Sequence, residues 1–514
     1  MSTPADYVTF LNRNGVDLWV DNGQLRYHAK KGVLSSEELA RLRSMKSEII
    51  EELTKADVSA ANNQTYTSTP NGVEAPVSFQ QWWLLQWLEA HPNWKATLSY
   101  TFHLKGELDC VALERSLRGI SRKHESLRTR IVRNCGEWRQ QIEPGDGFQL
   151  SIMDVSGESD AERRQHALLA VQSIAAQELD PVVAPLMTAQ MIRVSTQEHF
   201  LVVLVHRLAS DCLGLGQAFR DLWGSYVETV QKGSSTSIEG PTRYRDYAQW
   251  QRSTDGAWRQ KHGAYWNDYL YEAKPLCWPV KEYATPASRD KPGKLTSMES
   301  PLGEALSSRL KELGRQTQTL PALVMLTLYV ACLSIWCGQK DVVMPFIIAG
   351  RTAAQEGVVG CFCHIVHLRI RLEGRENFLE LLKRVSNEFY RAAAFRQDSG
   401  RMAAEKPELL RGTLCQWLSW HPAEIAGLQS DSQTSELGLE VKHVRRESLE
   451  ELTNVPPDMV ELEMNFFFDA AGDVSTLAIY RTDRFAESTV EKMMREFRSV
   501  AEQVVRDSRA LLTE

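Results

Sequence analysis

The segment Val202-Val203-Leu204-Val205-His206-Arg207-Leu208-Ala209-Ser210-Asp211-Cys212 concentrates residue types that can do chemistry. Its apolar run predicts a strand ending in His206, a turn holding Ser210 and Asp211, and then a helix. A histidine and an aspartate five residues apart across such a turn can set a base and its orienting carboxylate on a cleft floor. The same pair also suits a structural role, with His206 satisfied locally and Asp211 capping the helix. Arg207 stays protonated at physiological pH, so it can hold an anion but cannot take a proton from an amine. Cys212 has no histidine that the sequence places beside it, which argues against a thiolate nucleophile.

Elements of both kinds must position these side chains. Beyond residue 76, apolar runs predict strands at 98–104, 190–194, 200–205, 342–348, 366–372 and 460–468. Helical patterns cover 111–124, 160–179, 215–230, 306–314, 322–335, 378–395 and 490–505. Strands and helices mixed without a fixed repeat predict an α/β layered protein in two lobes. The stretch 320–338 carries no charge and is long enough to cross a bilayer. Pro321 near its start, Thr327 and Ser334 inside it, and the lack of a second such segment point instead to a helix buried on all sides, with no membrane partner.

Composition narrows the class. A chain of 514 residues, 43% hydrophobic and 24% charged, is globular and has room for about three domain-sized units. With 59 basic against 66 acidic residues it lacks the basic excess of a nucleic-acid binder, so no nucleic-acid partner is expected. Nine scattered cysteines, and a polar start at residues 1–6 with no apolar run after it, predict reduced thiols in the cytoplasm.

The first 56 residues read as a separate piece. Residues 7–14 have helical spacing, and 17–20 and 24–28 are extended runs around Asp21-Asn22-Gly23, a strong hairpin signal. Ser35 or Ser36 can cap a further helix with Glu37 and Glu38 in its first turn and Leu39, Leu42, Met45, Ile49, Ile50 and Leu53 on one face. So small a core suits binding better than catalysis. The hairpin carries Trp19 and Tyr27 beside Arg26, Lys30 and Lys31. These form either the solvated rim of a half-buried strand pair or an exposed basic edge for capturing an acidic peptide by strand addition. Residues 57–75, rich in Ser, Thr and Asn, read as a flexible linker.

Residues 15–53 closely resemble the tubulysin-type N-terminal docking domains of nonribosomal peptide synthetases, which bind the C-terminal tail of the preceding subunit. That favours the peptide-capturing reading of the hairpin. The rest resembles the condensation domains of the same synthetases. Ser78-Phe79-Gln80-Gln81-Trp82-Trp83-Leu84 is similar to their opening motif, Arg122 to Thr129 (RKHESLRT) to the second, and Tyr244-Arg245-Asp246-Tyr247-Ala248-Gln249-Trp250 to the fourth. Ala349-Gly350-Arg351, Val359-Gly360-Cys361-Phe362 and Tyr480-Arg481-Thr482-Asp483 fall in order with later ones. The resemblance implies two chloramphenicol-acetyltransferase-like lobes in a V-shaped pseudo-dimer, at 76–275 and 276–514, preceded by the α-β-β-α docking domain at 1–56. A tunnel between the lobes would receive phosphopantetheine arms from partner carrier domains, with no cofactor bound by the chain itself.

The chain departs from that pattern where chemistry is expected. The family signature is His-His-x-x-x-Asp-Gly; Arg207 stands where the amine-contacting histidine belongs, and Cys212 replaces the glycine. Phe362-Cys363-His364-Ile365 stands for Phe-Val-Asn-Thr, and Arg396-Gln397-Asp398-Ser399-Gly400 for His-Gln-Asp-x-Pro. His364, Arg351, Gln397 and Asp398 are the candidate tunnel residues, and Asp211 is expected to be structural, with Arg351 as candidate partner. Cys361, Cys363, His364 and His367 look like metal ligands, but on a strand neighbouring side chains point to opposite faces, and no metal is expected.

His206-Arg207-x-x-x-Asp211 matches most of the signature of the X domains of glycopeptide synthetases, which dock tailoring cytochromes P450. Interface domains of siderophore synthetases similarly recruit non-haem iron hydroxylases. The resemblance therefore implies a recruiting platform. An atypical condensation enzyme, in which Arg207 grips an acceptor carboxylate and positioning supplies the rate, is the alternative. No carrier-domain or adenylation motif follows, as in a stand-alone protein or a fragment of a larger synthetase.

Overall fold

A two-residue connection between apolar strands selects the hairpin in the first part of the chain. Strand β1 (Val16–Asp21) pairs antiparallel with β2 (Gln24–Ala29), with Asp21 opposite Gln24, Trp19 opposite Arg26 and Leu18 opposite Tyr27. The computed structural model describes residues 16–21 and 24–29, single positions between 41 and 49, and residues 74–509 with breaks at 145–147, 156, 158, 184, 235–242, 254, 280–293, 353–354, 419–420, 422–424, 426–431, 445–452, 454 and 457–458. Met45 N donates to Arg41 O and Ile49 N to Met45 O, the steps of the helix expected there, and Leu42 and Ile49 are buried. The helix expected at 7–14, Lys30, Lys31 and the linker lie outside the described residues. Residues Met1–Thr67 group with Arg351–Glu356 as one compact unit; Ser68–Gly350 and Gly357–Glu514 form the other.

In chain order the larger unit contains β3 (Glu74–Pro76), α1 (Phe79–Ala90), β4 (Thr97–Lys105), α2 (Cys110–Lys123), β5 (Thr129–Asn134), β6 (Glu137–Ile142), β7 (Ser151–Asp154), α3 (Asp160–Ala175), β8 (Met187–Arg193), β9 (Glu198–His206) and α4 (Cys212–Lys232). Then come α5 (Tyr244–Ser253), α6 (Asp255–Tyr269), β10 (Leu295–Pro301), α7 (Glu304–Gln316), α8 (Pro321–Cys337), β11 (Asp341–Ile348), β12 (His364–Arg371), α9 (Phe378–Ala394), α10 (Ser399–Glu405) and β13 (Thr413–Leu418). The last are β14 (Glu440–Val444), β15 (Leu462–Phe468), β16 (Val474–Arg481) and α11 (Glu487–Arg506). Every strand and helix expected beyond residue 76 is present at those positions, with ends moved by a few residues.

Two large sheets organise the unit. The first has strand order β14-β4-β9-β8-β7, the second β10-β16-β15-β13-β11-β12. Strand β14 comes from the C-terminal half yet pairs antiparallel with β4, Val441 opposite Leu104. Sheet pairing thus crosses the 275/276 division. Gly106 and Gly438 make room for this crossing: a Cβ on Gly106, whose φ is +118°, would lie 2.0 Å from Gly438 O.

The uncharged stretch 320–338 is α8, with Pro321 in its first turn and Gly338 ending it in the left-handed conformation. Nearly all its apolar side chains are buried in the core of the second sheet, beside Val342, Phe378, Phe466 and Phe497. No single described helix is long and apolar enough to cross a membrane.

Buried charge ties together two segments distant in sequence. Glu125 lies 3.2 Å from Arg245 Nε, 3.5 Å from Arg243 and 3.6 Å from Arg128, and both Glu125 and Arg245 are buried. Burial pushes the Glu125 carboxyl upward, and the three arginines oppose that shift. The turn after α2 is thereby clamped to α5.

His367 on β12 is an unusual core group. It is fully buried against Trp266, and neither ring nitrogen has a hydrogen-bond partner among the described residues. Burial, reinforced by Lys406, pushes it down to about 4. The unfolded chain takes up this proton near pH 6.5 and the folded chain only near 4, so the histidine costs stability as pH falls between those values. That loss is on the order of 2 kcal/mol between pH 7 and pH 5. His367→Leu should match wild type at pH 7 and melt higher at pH 5, as read by calorimetry at both values.

Candidate functional site

Strand β9 is central in its sheet, and its last residue delivers the motif to one end. His206 N donates to Leu186 O and Arg207 N to Ala96 O, so the backbone keeps ladder-like bonds through the end of the strand. His206 Nδ1 then accepts from Leu208 N at 3.1 Å, and the ring is buried. Burial, with Arg207 beside it, pushes this imidazole down to about 3. It is neutral at pH 7 and a poor proton acceptor for an amine.

Asp211 is the N-cap of α4. Its Oδ1 accepts from Gly214 N at 2.9 Å, and its Oδ2 accepts from Phe362 N at 3.1 Å. Its own N–H donates to Gly360 O. One short side chain thus joins the helix after the first sheet's central strand to the loop that enters the second sheet's edge strand. Ser210 Oγ donates to Asp211 O, and Cys212, half-buried, is the first residue of α4. For His206 and Asp211 the geometry supports the structural reading over the base-and-carboxylate one.

Arg207 is buried with its guanidinium carbon 5.9 Å from the Trp94 ring centroid, a cation–π arrangement. No orientation of that side chain makes it a general base.

The other motifs converge on the same loop. Ser78 caps α1 reciprocally with Gln81, and its Oγ lies 2.7 Å from Tyr244 OH. Tyr244 OH donates to Cys361 O at 2.7 Å, and Ser126 Oγ donates to Val359 O at 2.9 Å. Gly360 is required, because a Cβ there would lie 2.0 Å from the Tyr244 ring. Tyr244 and Tyr247 both pack on Phe362.

A buried amide network lies beside this contact. Gln80 Nε2 donates to His364 Nε2 at 2.8 Å and to Tyr247 OH at 3.1 Å. Gln251 Nε2 donates to Gln397 Oε1 at 2.7 Å, while Gln251 Oε1 accepts from Phe79 N. His364 is fully enclosed, and burial with Arg396 nearby pushes it down to about 3. Gly350, with φ +66°, leaves room for that ring; a Cβ would meet His364 Cδ2 at 2.3 Å. The structure therefore brings His364 and Gln397 into one network. Asp398 adjoins it through a 3₁₀ turn, Arg396–Asp398; its side chain lies outside the described residues. Arg351 is half-buried just after Gly350 and groups with the smaller unit. The side chains of Trp19, Arg26 and Tyr27 also lie outside the described residues.

Gln251 was missed from sequence. It lies seven residues after Tyr244 and four after Tyr247, on the same helical face, and that spacing is the signal that could have found it. The cysteine–histidine group does not converge as ligands must: His364 and His367, three apart on β12, face opposite sides of the strand. Among the described residues no three His, Cys, Asp or Glu side chains gather as a metal site.

Comparison with known proteins places this arrangement. Residues 72–514 match the family model of the condensation domain, and residues 5–54 that of the TubC N-terminal docking domain. A linear gramicidin synthase of Brevibacillus parabrevis is 32% identical over 327 residues, 62% of this chain and 4% of the relative. The chain thus spans a small fraction of that protein. The solved complex of the X-domain and OxyB from teicoplanin biosynthesis contains a chain with TM-score 0.69 at 20% identity, matched over 87% of this chain and 97% of that one. The cyclization-docking bidomain of EpoB from Sorangium cellulosum matches at TM-score 0.66 and 17% identity, over 98% of both chains. These two likenesses establish the mixed α/β fold of condensation-domain structures.

The Asp211 tie has a measurable cost of removal. Asp211→Ala deletes a helix cap and a charge-assisted bond to Phe362 N, a loss of roughly 3 kcal/mol. Asp211→Asn keeps an acceptor for one N–H and should lose less than Asp211→Ala. Denaturant unfolding of the three proteins gives the order wild type, Asn, Ala.

Proposed function

The chain belongs to the condensation-domain family of nonribosomal peptide synthetases, and from that membership we propose that it has given up amide formation and acts as an interface bringing a tailoring oxygenase to a carrier-bound amino acid. The observation that carries this reading is the buried Arg207 where the family places its amine-contacting histidine. The neighbouring imidazoles do not replace it, since His206 and His364 are held near 3 by burial and are already hydrogen-bonded. General-base catalysis near neutral pH needs a group with a pKa close to the working pH, and neither of these two imidazoles meets that condition. A partner's recruiting surface does not need that group. The likeness to an X-domain seen in complex with OxyB agrees with this reading.

In this scheme the partners are carrier domains bearing phosphopantetheine arms and a non-haem iron hydroxylase or cytochrome P450 that acts on the loaded amino acid. The N-terminal docking domain binds the acidic C-terminal tail of an upstream synthetase protein through the β1–β2 hairpin.

Two experiments test the proposal. Mass spectrometry of carrier-bound intermediates should show no amide product with wild type, and none with Arg207→His, because the sites of His364 and Gln397 are remodelled as well. Arg207→Ala should retain binding of the oxygenase encoded alongside. Amide formed by wild type and abolished in Arg207→Ala would overturn the interface reading and make Arg207 a substrate-gripping residue. For the docking domain, reversing the charge of Arg26, Lys30 and Lys31 should weaken tail binding by calorimetry, most strongly at low salt. Equal affinity would show that the basic hairpin is not the binding edge.

A further inference from the structure

Strand β12 runs away from His364, and about 20 Å further along it a polar cavity opens. The cavity has a volume of about 310 Å³ and is lined by Asp268, Tyr269, Arg369, Arg371, Arg384, Glu388 and Arg391. Four guanidinium groups and two carboxylates on one small cavity are more than packing requires, and their engagement is uneven.

Arg369 is a wall. Its Nε and Nη2 bind Asp341, and its Nη1 donates to Tyr269 O and Tyr271 O. Tyr269 OH accepts from Arg369 N and donates to Arg369 O, closing the free edge of the sheet. The other three arginines keep donors in reserve. Arg371 is 68% exposed and reaches only 3.7 Å from Asp341, which Arg369 already holds. Arg391 is stacked over the rings of Tyr265 and Tyr269 at 5.4 and 5.9 Å and lies 3.8 Å from Glu388. The stacking fixes its plane while leaving N–H edges open. Arg384 spends Nη1 on Arg371 O and Nη2 on Glu373 and Glu376, yet its buried Nε has no hydrogen-bond partner among the described residues.

Glu388 supplies the complementary signal. It lies four residues after Arg384 and three before Arg391, on one face of α9, and its Oε2 is buried without a hydrogen-bond partner among the described residues. A carboxylate among arginines repels a bare anion and accepts a bond from an anion that carries its own O–H. Buried donors and acceptors left unmatched are rare in folded proteins, and one ligand would match both.

We propose that this cavity binds phosphate in a protonated form, as the free hydrogen phosphate ion or as the monoanionic terminal group of a small phosphate monoester. Arg371, Arg391 and Arg384 Nε donate to its oxygens, and Glu388 Oε2 accepts from its hydroxyl. Acetate and sulfate, which bring no proton at neutral pH, are rejected by Glu388.

Isothermal titration of the full-length protein at pH 6, where a phosphate monoester still carries its second proton about half of the time, at constant ionic strength and with chloride as the balancing salt, tests the assignment. Inorganic phosphate and glycerol 3-phosphate are the two arms for source, and the tighter binder identifies it. Saturable binding of either, with sulfate and acetate at least about tenfold weaker, is the expected result. Arg371→Ala, at an exposed position where folding is not at stake, should weaken phosphate about tenfold, and Arg391→Lys should do the same by removing the flat fork while keeping the charge. Glu388→Gln replaces the acceptor with a donor and should reverse the preference towards sulfate. Heats no different from chloride in both arms would overturn the proposal, as would unchanged affinity in Arg371→Ala and Arg391→Lys. Equal binding of sulfate and phosphate by wild type would overturn the role of Glu388.

Discussion

Asp211 accepts from the first turn of α4 with one oxygen and from Phe362 N with the other, so its carboxylate ends one strand-to-helix turn and starts another strand. Each bond is charge-assisted and shielded from water, which makes both stiffer than a neutral pair on a surface. Everything else near the motif is referenced to this tie. Tyr244 can reach Cys361 O only because Gly360 lets its ring approach, and Asp211 N holds Gly360 O in place. Ser126 and the Glu125–Arg245 cluster add two more anchors to the same loop and helix.

The consequence is a buried, polar site whose two imidazoles are neutral at pH 7. Its imidazoles lie deep enough that burial outweighs any stabilisation of their protonated forms. Their hydrogen bonds go to a backbone amide and a glutamine rather than to a carboxylate that would raise their basicity. A guanidinium at position 207 adds positive charge without adding a base. In the interface role proposed above, such an arrangement would keep the architecture on which partners dock without the proton acceptor that amide formation uses.

Much of this was legible in the amino-acid sequence. The motif at 206–211 could be placed on a strand end, a turn and a helix cap because those roles are local, a cap needing its Asp at one position, whereas the motifs at 78–84, 122–129, 244–250 and 359–362 were legible as a family resemblance. The apolar runs marked α8, β9 and β12 because periodicity and length register burial directly. That position 207 cannot accept a proton followed from residue type alone.

Tertiary structure decided what depends on partners far apart in the chain. The pairing of β14 with β4 joins residues more than three hundred positions apart, and its register comes from packing rather than from its short sequence. Whether His364 would be a free base or a buried acceptor turned on Gln80, 284 residues away. Arg369, Arg371, Arg384 and Arg391 read in sequence as ordinary charges on a strand and a helix; only the packing of α9 and α6 against the edge of β12 gathers them around one cavity. Sequence patterns report how each residue meets water along its own element, whereas a buried polar partner or a shared cavity is set by which elements meet, and that is resolved only when the whole chain packs.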